Sequence, residues 1–198
     1  VVVCAVQYPY ERPRKFLEYL RWPWAVRLAG YRVVAGGMLA TTFLLDREKF
    51  DPARVMVVGA SLGSFFGGIN GSLDARIPRV LIVHGGGNFH AMASAYPRLR
   101  ERGWPVWLCA QIFEKGFGTF DPLRYVDRIS PRELVILATT NDRYFPPVSA
   151  QCLYDRAGSP KKIFWMNTGH VRSKKSEILD AILNSMKTYL FSDSAPIQ

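Results

Sequence analysis

The feature that most constrains the fold of this chain is a series of short, largely apolar runs rich in β-branched residues. Stretches long enough to hold a helix separate most of these runs. This alternation of short apolar runs with helix-length stretches is typical of βαβ units. Strands that are apolar throughout are covered on both faces. The alternation predicts an α/β fold, a three-layer αβα sandwich around a mostly parallel sheet, with strands at 1–6, 54–58, 80–83, 106–109, 134–138 and 163–166.

Four segments between these runs predict helices, at 36–45, 61–69, 147–157 and 174–190. The last of them places six apolar residues on one face, which favours packing against the sheet. With 198 residues the chain is long enough for one domain with a substantial core and short for two. We therefore expect a single domain over 1–198.

The segment 9–34 is rich in Pro, Arg and aromatic residues and shows no clean period of two or of 3.6. It is interpreted as an excursion, or cap-like segment, above the sheet. Its amphipathic aromatic residues could wall a substrate pocket, or they could simply pack the segment on the domain. The run at 1–6 has no initiator Met before it, so we expect further strands, and with them any leader, upstream of Val1.

The formal charge of +10 raises the question of a polyanionic partner. The basic residues are scattered along the chain, which favours a solvated surface over a nucleic-acid or lipid patch. No unbroken apolar run reaches the length of a membrane span, so no transmembrane segment is expected. Cys4, Cys109 and Cys152 have no ligand spacing and predict free thiols, which fits a reducing compartment and favours the cytoplasm.

Ser61 lies at the centre of Gly59-Ala60-Ser61-Leu62-Gly63, directly after the run 54–58 and before a stretch of small residues that can be helical. A sharp turn from strand to helix holds such a serine above the sheet, and the flanking glycines remove side chains that would clash. The pentapeptide alone is of moderate specificity, since an ordinary βα turn could also contain it. In this context it predicts a nucleophile.

Asp142 and His170 supply the two partners that a nucleophilic serine requires, a base and a carboxylate that orients the base. Asp142 follows the run 134–138, and His170 follows the run 163–166. Catalytic groups of open α/β sheets gather at these strand ends. Taken singly, Asp142 could be a turn residue and His170 could satisfy a loop hydrogen bond. Their occurrence with Ser61 at three strand ends favours a catalytic triad.

The order Ser, Asp, His and the local motifs resemble the α/β-hydrolase superfamily from about Arg54 to the end of the chain. The motifs are the elbow, the Asn-Asp-x-x-x-Pro loop, the Pro-Lys-Lys-Ile-Phe strand and the Thr-Gly-His that precedes the final helix. The dienelactone-hydrolase-like and carboxylesterase-like branches are the most similar. The resemblance implies a serine hydrolase that acts on a small acyl substrate without a cofactor.

The run His84-Gly85-Gly86-Gly87 reads like the oxyanion-hole motif of lipases and esterases, but it follows the strand after the elbow rather than an earlier one. We interpret it as a glycine-rich loop at a strand end, with His84 and His90 as structural or rim residues. The expected oxyanion donor is the N–H of Leu62, and the second donor is not expected in this chain. The histidines lack ligand spacing, so no metal site is predicted.

The sequence thus predicts hydrolysis of a carboxylic ester or related acyl compound by Ser61, His170 and Asp142. Two alternatives stay open. One is a non-catalytic binding module of the same fold, because strands of the sheet are expected outside this chain. The other is a thioesterase, amidase or peptidase, because the same triad serves all of these reactions. The oligomeric state is not predicted.

Overall fold

The computed structural model describes residues 2–8, 16–48, 50–96, 105–170 and 184. Its centre is a four-stranded sheet in which the strands lie in chain order and every neighbouring pair is parallel. The predicted class, an α/β fold with a parallel sheet flanked by helices, is confirmed. Four of the six predicted strands form, as β1 (Met56–Ala60), β2 (Arg79–Val83), β3 (Glu133–Thr139) and β4 (Lys161–Met166).

One helix precedes β1, and others occupy the connections between the strands. They are α1 (Phe16–Thr42), α2 (Gly63–Leu73), α3 (Phe89–Ala95), α4 (Val106–Phe117) and α5 (Pro147–Arg156). Short 3₁₀ turns at Gly118–Phe120, Pro122–Arg124 and Val126–Ile129 join α4 to β3. The predicted helices at 61–69 and 147–157 correspond to α2 and α5, whereas the one predicted at 174–190 lies outside the described residues, apart from Asn184, which is helical.

The core lies on both faces of β2 and β3, whose apolar residues alternate between two clusters. Val80, Ile82, Leu134 and Ile136 contribute to one cluster together with residues of α5, and all four are at most 1% exposed. The residues between them contribute to a second cluster on the opposite face, which consists of Leu81, Val83, Val135 and Leu137. Burial on both faces explains why these strands are apolar throughout.

The strand predicted at 106–109 is wrong, because these residues form the first turn of α4. A short apolar run does not by itself distinguish a strand from a buried helix. Pro105 precedes the helix, and positions at the helical spacing in α4 are partly or fully buried, among them Val106, Cys109, Ala110 and Phe117. The longer periodic pattern, rather than the four-residue run, decides the structure.

The strand predicted at 1–6 is also wrong for the described residues 2–6, which form no strand and are exposed. An apolar run becomes a strand only where a neighbouring strand accepts its hydrogen bonds. The described part of the segment 9–34, from Phe16, is helical and continues as α1 through the helix predicted at 36–45. Whether it acts as a cap stays a prediction.

The stretch Pro23–Arg47 of α1 and the following turn is long and apolar enough to cross a membrane, with a mean hydropathy of 1.4 and 22% of its apolar window buried. Length and composition also fit a core helix, so they do not distinguish the two. In this structure α1 contacts α2, and Gly30 lies against the ring of Phe120, where a Cβ would approach within 2.6 Å. These contacts attach the helix to the domain.

Candidate active site

The turn between β1 and α2 places Ser61 above the carboxyl end of the sheet. Ser61 has a φ of 52°, in the left-handed region that non-glycine residues rarely adopt, and its N–H donates to the carbonyl of Val83 at 3.0 Å. Gly59 and Gly67 allow the turn to be this tight, since a Cβ on Gly67 would lie 2.8 Å from the Cα of Gly59. Strand and helix therefore approach closely and present a half-buried Ser61.

Ser61, His170 and Asp142, which sequence reasoning selected, lie together. The Oγ of Ser61 is 2.7 Å from the Nε2 of His170, and the Nδ1 of His170 is 2.6 Å from the Oδ2 of Asp142. The imidazole thus has a hydroxyl on one nitrogen and a carboxylate on the other. Such a chain of hydrogen bonds can move the serine proton to the ring while the carboxylate stabilises the resulting imidazolium.

Asp142 is held in an ionised state by its hydrogen bonds. Burial raises the pKa of the carboxyl, but the hydrogen bond to His170 and those from the N–H groups of Phe145 and Tyr144 outweigh burial, and the pKa lies below its ordinary value. The two backbone groups donate to Oδ1 at 3.0 and 2.8 Å. One carboxylate oxygen is therefore fixed by its own loop, and the other faces His170.

Contacts that sequence reasoning missed orient His170. The Phe145 ring stacks on the imidazole, with centroids 5.7 Å apart and planes 9° apart, and Tyr144 meets it edge-on at 5.0 Å. The loops that carry Asp142 and His170 are joined because the Asn141 side chain donates to the Asn167 carbonyl oxygen at 2.7 Å. Both asparagines follow strand ends, which is the signal in the sequence that could have identified them.

Leu62 directly precedes α2, so its N–H lies at the positive end of a helix whose first N–H groups have no intrahelical acceptor. The arrangement favours negative charge beside Ser61. Tyr8 lies close by, with its hydroxyl 3.5 Å from the position that a Cβ on Gly63 would take. Its ring packs against Phe66 with centroids 5.8 Å apart.

His84 is not a rim residue, because only 1% of it is exposed. It lies immediately after β2, with a φ of 47° and its ring centroid 6.3 Å from that of His170. Burial lowers the pKa of His84, which favours the neutral imidazole. The glycine after it packs against α2, where a Cβ on Gly85 would lie 2.2 Å from the Cβ of Ser64. His90, by contrast, is exposed.

Donor atoms that suit a metal ion also converge here. His84, Asp142 and His170 each offer one ligand atom, and these atoms lie within 4.8 Å of one another. Spacing along the chain did not predict such a cluster, because the three residues follow three different strands.

Known structures resemble the chain at low sequence identity, which shows a shared fold. An α/β hydrolase, GrgF from Penicillium sp. sh18, aligns with a TM-score of 0.55 and 14% identity over 81% of this chain and 72% of its own. An acetyl xylan esterase from Paenibacillus sp. R4 aligns with a TM-score of 0.63 and 19% identity over 84% of this chain. A puromycin-hydrolysing peptidase from Mycobacterium tuberculosis aligns with a TM-score of 0.57 and 18% identity over 80% of this chain.

The chain spans 54% of the length of that esterase and 23% of that of the peptidase. No curated protein matches the chain by sequence. The sequence model of one family, described as PhoPQ-activated pathogenicity-related protein, matches residues 86–198, which is more than half of the chain. With its parallel sheet and hydrolase-like neighbours, the chain has the α/β-hydrolase fold and belongs to the family of PhoPQ-activated pathogenicity-related proteins.

Proposed function

We propose that this protein is a serine hydrolase that cleaves a carboxylic ester or related acyl substrate through an acyl-enzyme. The observation that carries the proposal is the chain of hydrogen bonds from Ser61 through His170 to Asp142, at 2.7 and 2.6 Å. A nucleophile, a base within reach of its proton and a carboxylate on the far nitrogen of that base are the three parts that acyl transfer by serine needs.

In the proposed reaction the Oγ of Ser61 attacks the substrate carbonyl while the Nε2 of His170 takes the serine proton. Negative charge develops on the carbonyl oxygen, and the N–H of Leu62 at the start of α2 donates to it. His170 then gives the proton to the leaving group, which departs and leaves the acyl group on Ser61. Water, activated by His170, attacks the acyl-enzyme and releases the acid. Asp142 accepts a hydrogen bond from the Nδ1–H of His170 throughout and so orients the ring.

Three further features support this assignment. Ser61 is half-buried, so a substrate can reach it. The pKa of Asp142 lies below its ordinary value because hydrogen bonds outweigh burial, so the carboxylate is charged at neutral pH. Tyr144 and Phe145 pack on His170, which restricts the ring to the orientation that joins Ser61 and Asp142.

The structural neighbours support acyl transfer as the reaction class, since they include acetyl xylan esterases and puromycin-hydrolysing peptidases. Acetyl xylan and puromycin are named as substrates of those proteins and are not assigned to this chain. An ester is the proposed substrate here because esters need less activation of the leaving group than amides, and the thioesterase and peptidase alternatives are tested with matched acyl thioesters and anilides.

The test combines a fluorophosphonate probe with turnover of p-nitrophenyl acetate. Ser61→Ala should abolish labelling and lower kcat by about 10⁶, as removal of a triad serine does. Ser64→Ala is the matched control, since this serine lies three residues further on, is 1% exposed, and its hydroxyl has no hydrogen-bond partner among the described residues. The Ser64→Ala variant should be labelled by the probe and should hydrolyse p-nitrophenyl acetate at the wild-type rate.

Labelling of the Ser61→Ala variant at the wild-type rate would contradict the assignment of Ser61 as the nucleophile. A folded wild-type protein that neither labels nor hydrolyses esters, thioesters or anilides would instead be the non-catalytic binding module that the sequence left open.

A further inference from the structure

The ends of β2, β3 and β4 bring two imidazoles and a carboxylate to one place. His84 follows β2 directly, Asp142 lies three residues after β3, and His170 lies four residues after β4. One ligand atom from each residue lies within 4.8 Å of the others. Since His84 is not needed for the proposed reaction, its position beside the other two raises the question of what the group of three could bind.

Two imidazole nitrogens and one carboxylate form a donor set that Zn²⁺ uses, whereas Mg²⁺ and Ca²⁺ prefer oxygen ligands alone. With metal–ligand bonds of about 2.0–2.2 Å in a tetrahedral arrangement, ligand atoms lie about 3.3–3.6 Å apart. The present separations run from 2.6 Å, between His170 and Asp142, up to the limit of 4.8 Å. Changes of no more than about 1.5 Å, within reach of side-chain rotation, would therefore form the site.

The ionisation states of His84 and Asp142 also suit a cation. Burial lowers the pKa of His84, so its imidazole is neutral and a ring nitrogen can donate its electron pair. Asp142 is ionised and brings one negative charge to the site. The fourth ligand would be a water molecule, as in zinc sites with three protein ligands.

We propose that His84, Asp142 and His170 form a binding site for Zn²⁺, and that the ion inhibits the enzyme reversibly. His170 makes two hydrogen bonds in the zinc-free protein, through Nε2 to Ser61 and through Nδ1 to Asp142. Whichever ring nitrogen takes the ion, one of these two bonds is lost and any proton on that nitrogen passes to solvent. His170 can then no longer carry the serine proton.

Zinc binding is measured first, without reference to activity. Calorimetric titration of ZnCl₂ into the Ser61→Ala protein should show one equivalent bound, and MgCl₂ should show none. His84→Asn in the same background should lower the affinity for zinc by more than about tenfold. Loss of a residue that merely supports a metal ligand already lowers metal affinity by about 10–100-fold. Asn is chosen because it tolerates the positive φ of His84.

His90→Asn is the matched control. The chain has three histidines, and His90 is the exposed one, beside Glu114 and Asp155 on the rim of a surface cavity. This variant should bind zinc as the parent does. Equal zinc affinity in the His84→Asn and parent proteins, loss of binding in His90→Asn, or absence of binding up to about 1 mM would each overturn the proposal. Thermal unfolding confirms that each variant is folded, and His84→Gln replaces His84→Asn if the latter is not.

Inhibition rests on the proposed function and is measured separately in the protein with Ser61 intact. Zn²⁺ should inhibit ester turnover, EDTA should restore it, and His84→Asn should raise the half-inhibitory concentration by more than about tenfold relative to its own zinc-free rate. Turnover that zinc does not inhibit would overturn the inhibitory role while the proposed function stands. Failure to hydrolyse any acyl substrate would contradict the proposed function, and the calorimetry would still decide the zinc site.

Discussion

Asp142→Asn changes the proposed triad with little change in shape. In the wild-type protein Oδ1 accepts from the N–H groups of Tyr144 and Phe145, and Oδ2 faces the Nδ1 of His170. An asparagine can keep its carbonyl oxygen on the two backbone donors, which places its NH₂ group against Nδ1. The ring must then accept at Nδ1, so its proton moves to Nε2. That proton faces the Oγ of Ser61, and the base is lost.

We expect kcat to fall by about 10⁴, the effect of the same exchange in a serine protease triad. At about 1.36 kcal/mol for each factor of ten, this corresponds to about 5.4 kcal/mol of lost transition-state stabilisation. KM should change little, because the Asp142 side chain is 1% exposed and does not reach a bound substrate. The prediction is therefore a loss in kcat alone.

Turnover of p-nitrophenyl acetate over a range of concentrations separates kcat from KM. Asp121→Asn is the matched control, since Asp121 is 4% exposed and its carboxylate accepts from the N–H groups of Asn88, Phe89 and Leu123. It removes a buried carboxylate that caps backbone groups, as Asp142 does, without entering the triad. A folded Asp142→Asn protein that retains kcat within tenfold of the wild-type value would refute the tautomer argument.

Three other predictions concern stability. Gly67→Ala should lower the free energy of unfolding by about 1–3 kcal/mol, because the new Cβ would lie 2.8 Å from the Cα of Gly59. Gly116→Ala, whose Cβ meets no atom of the described chain within 4 Å, should be neutral or stabilising, and equal urea midpoints for the two variants would contradict the packing argument. Arg132→Lys should cost about 1–3 kcal/mol in the same assay, because the guanidinium donates to three carbonyl groups near the end of α2 and an ammonium group is less suited to span them; an unchanged midpoint would argue against this. Because hydrogen bonds outweigh burial and hold the folded-state pKa of Asp142 below its unfolded value, its ionised form contributes stability above about pH 4 that is lost as pH falls through the folded-state pKa. The Asp142→Asn midpoint should therefore fall less on acidification than the wild-type midpoint, and parallel curves would count against this contribution.

The four strands of the sheet could be predicted because each combines a short apolar run with polar residues or turns on both sides. β2 and β3 are the clearest cases, since their residues are buried on both faces and every position is constrained. The observed bounds differ from the predicted ones by one or two residues, for example in β1, which begins at Met56 rather than at Arg54. Hydrogen bonding between strands sets these ends, and it is not local in sequence.

The two wrong strands share a cause. The runs at 106–109 and 1–6 are apolar enough for strands. Whether such a run forms a strand depends on a pairing partner from another part of the chain, and the run itself does not reveal that partner. At 106–109 the residues that follow continue a helical pattern, and the whole of Val106–Phe117 forms one helix. The apolar character of the run at 106–109 did not distinguish a strand from a helix, and in the helix Trp107 and Leu108 are exposed.

The site was partly predictable for a related reason. Ser61 follows β1 and His84 follows β2 after no intervening residue, so their placement at the carboxyl edge is a direct consequence of the strand prediction. The burial of His84 was not predictable, because it depends on the loops after β3 and β4 that cover it. Of the two interpretations of His84, as a structural or a rim residue, its burial excludes the rim and leaves the structural one.

The sheet order imposes a further constraint on the site. β1 and β4 are separated by three strand spacings of about 4.8 Å, or about 14 Å, yet Ser61 after β1 and His170 after β4 are 2.7 Å apart. The chain after β4 must therefore reach back across the ends of β3 and β2. Three residues between Met166 and His170 provide this reach, and the hydrogen bond between Asn141 and Asn167 holds the loop against the end of β3. Asp142, on the intermediate loop, then lies beside His170 as it crosses. Ser61, Asp142 and His170 thus lie one, three and four residues past the ends of β1, β3 and β4, so that the residue on the strand farthest from β1 has the longest loop before it. This longer loop brings Ser61 and His170, 109 positions apart in the chain, into contact.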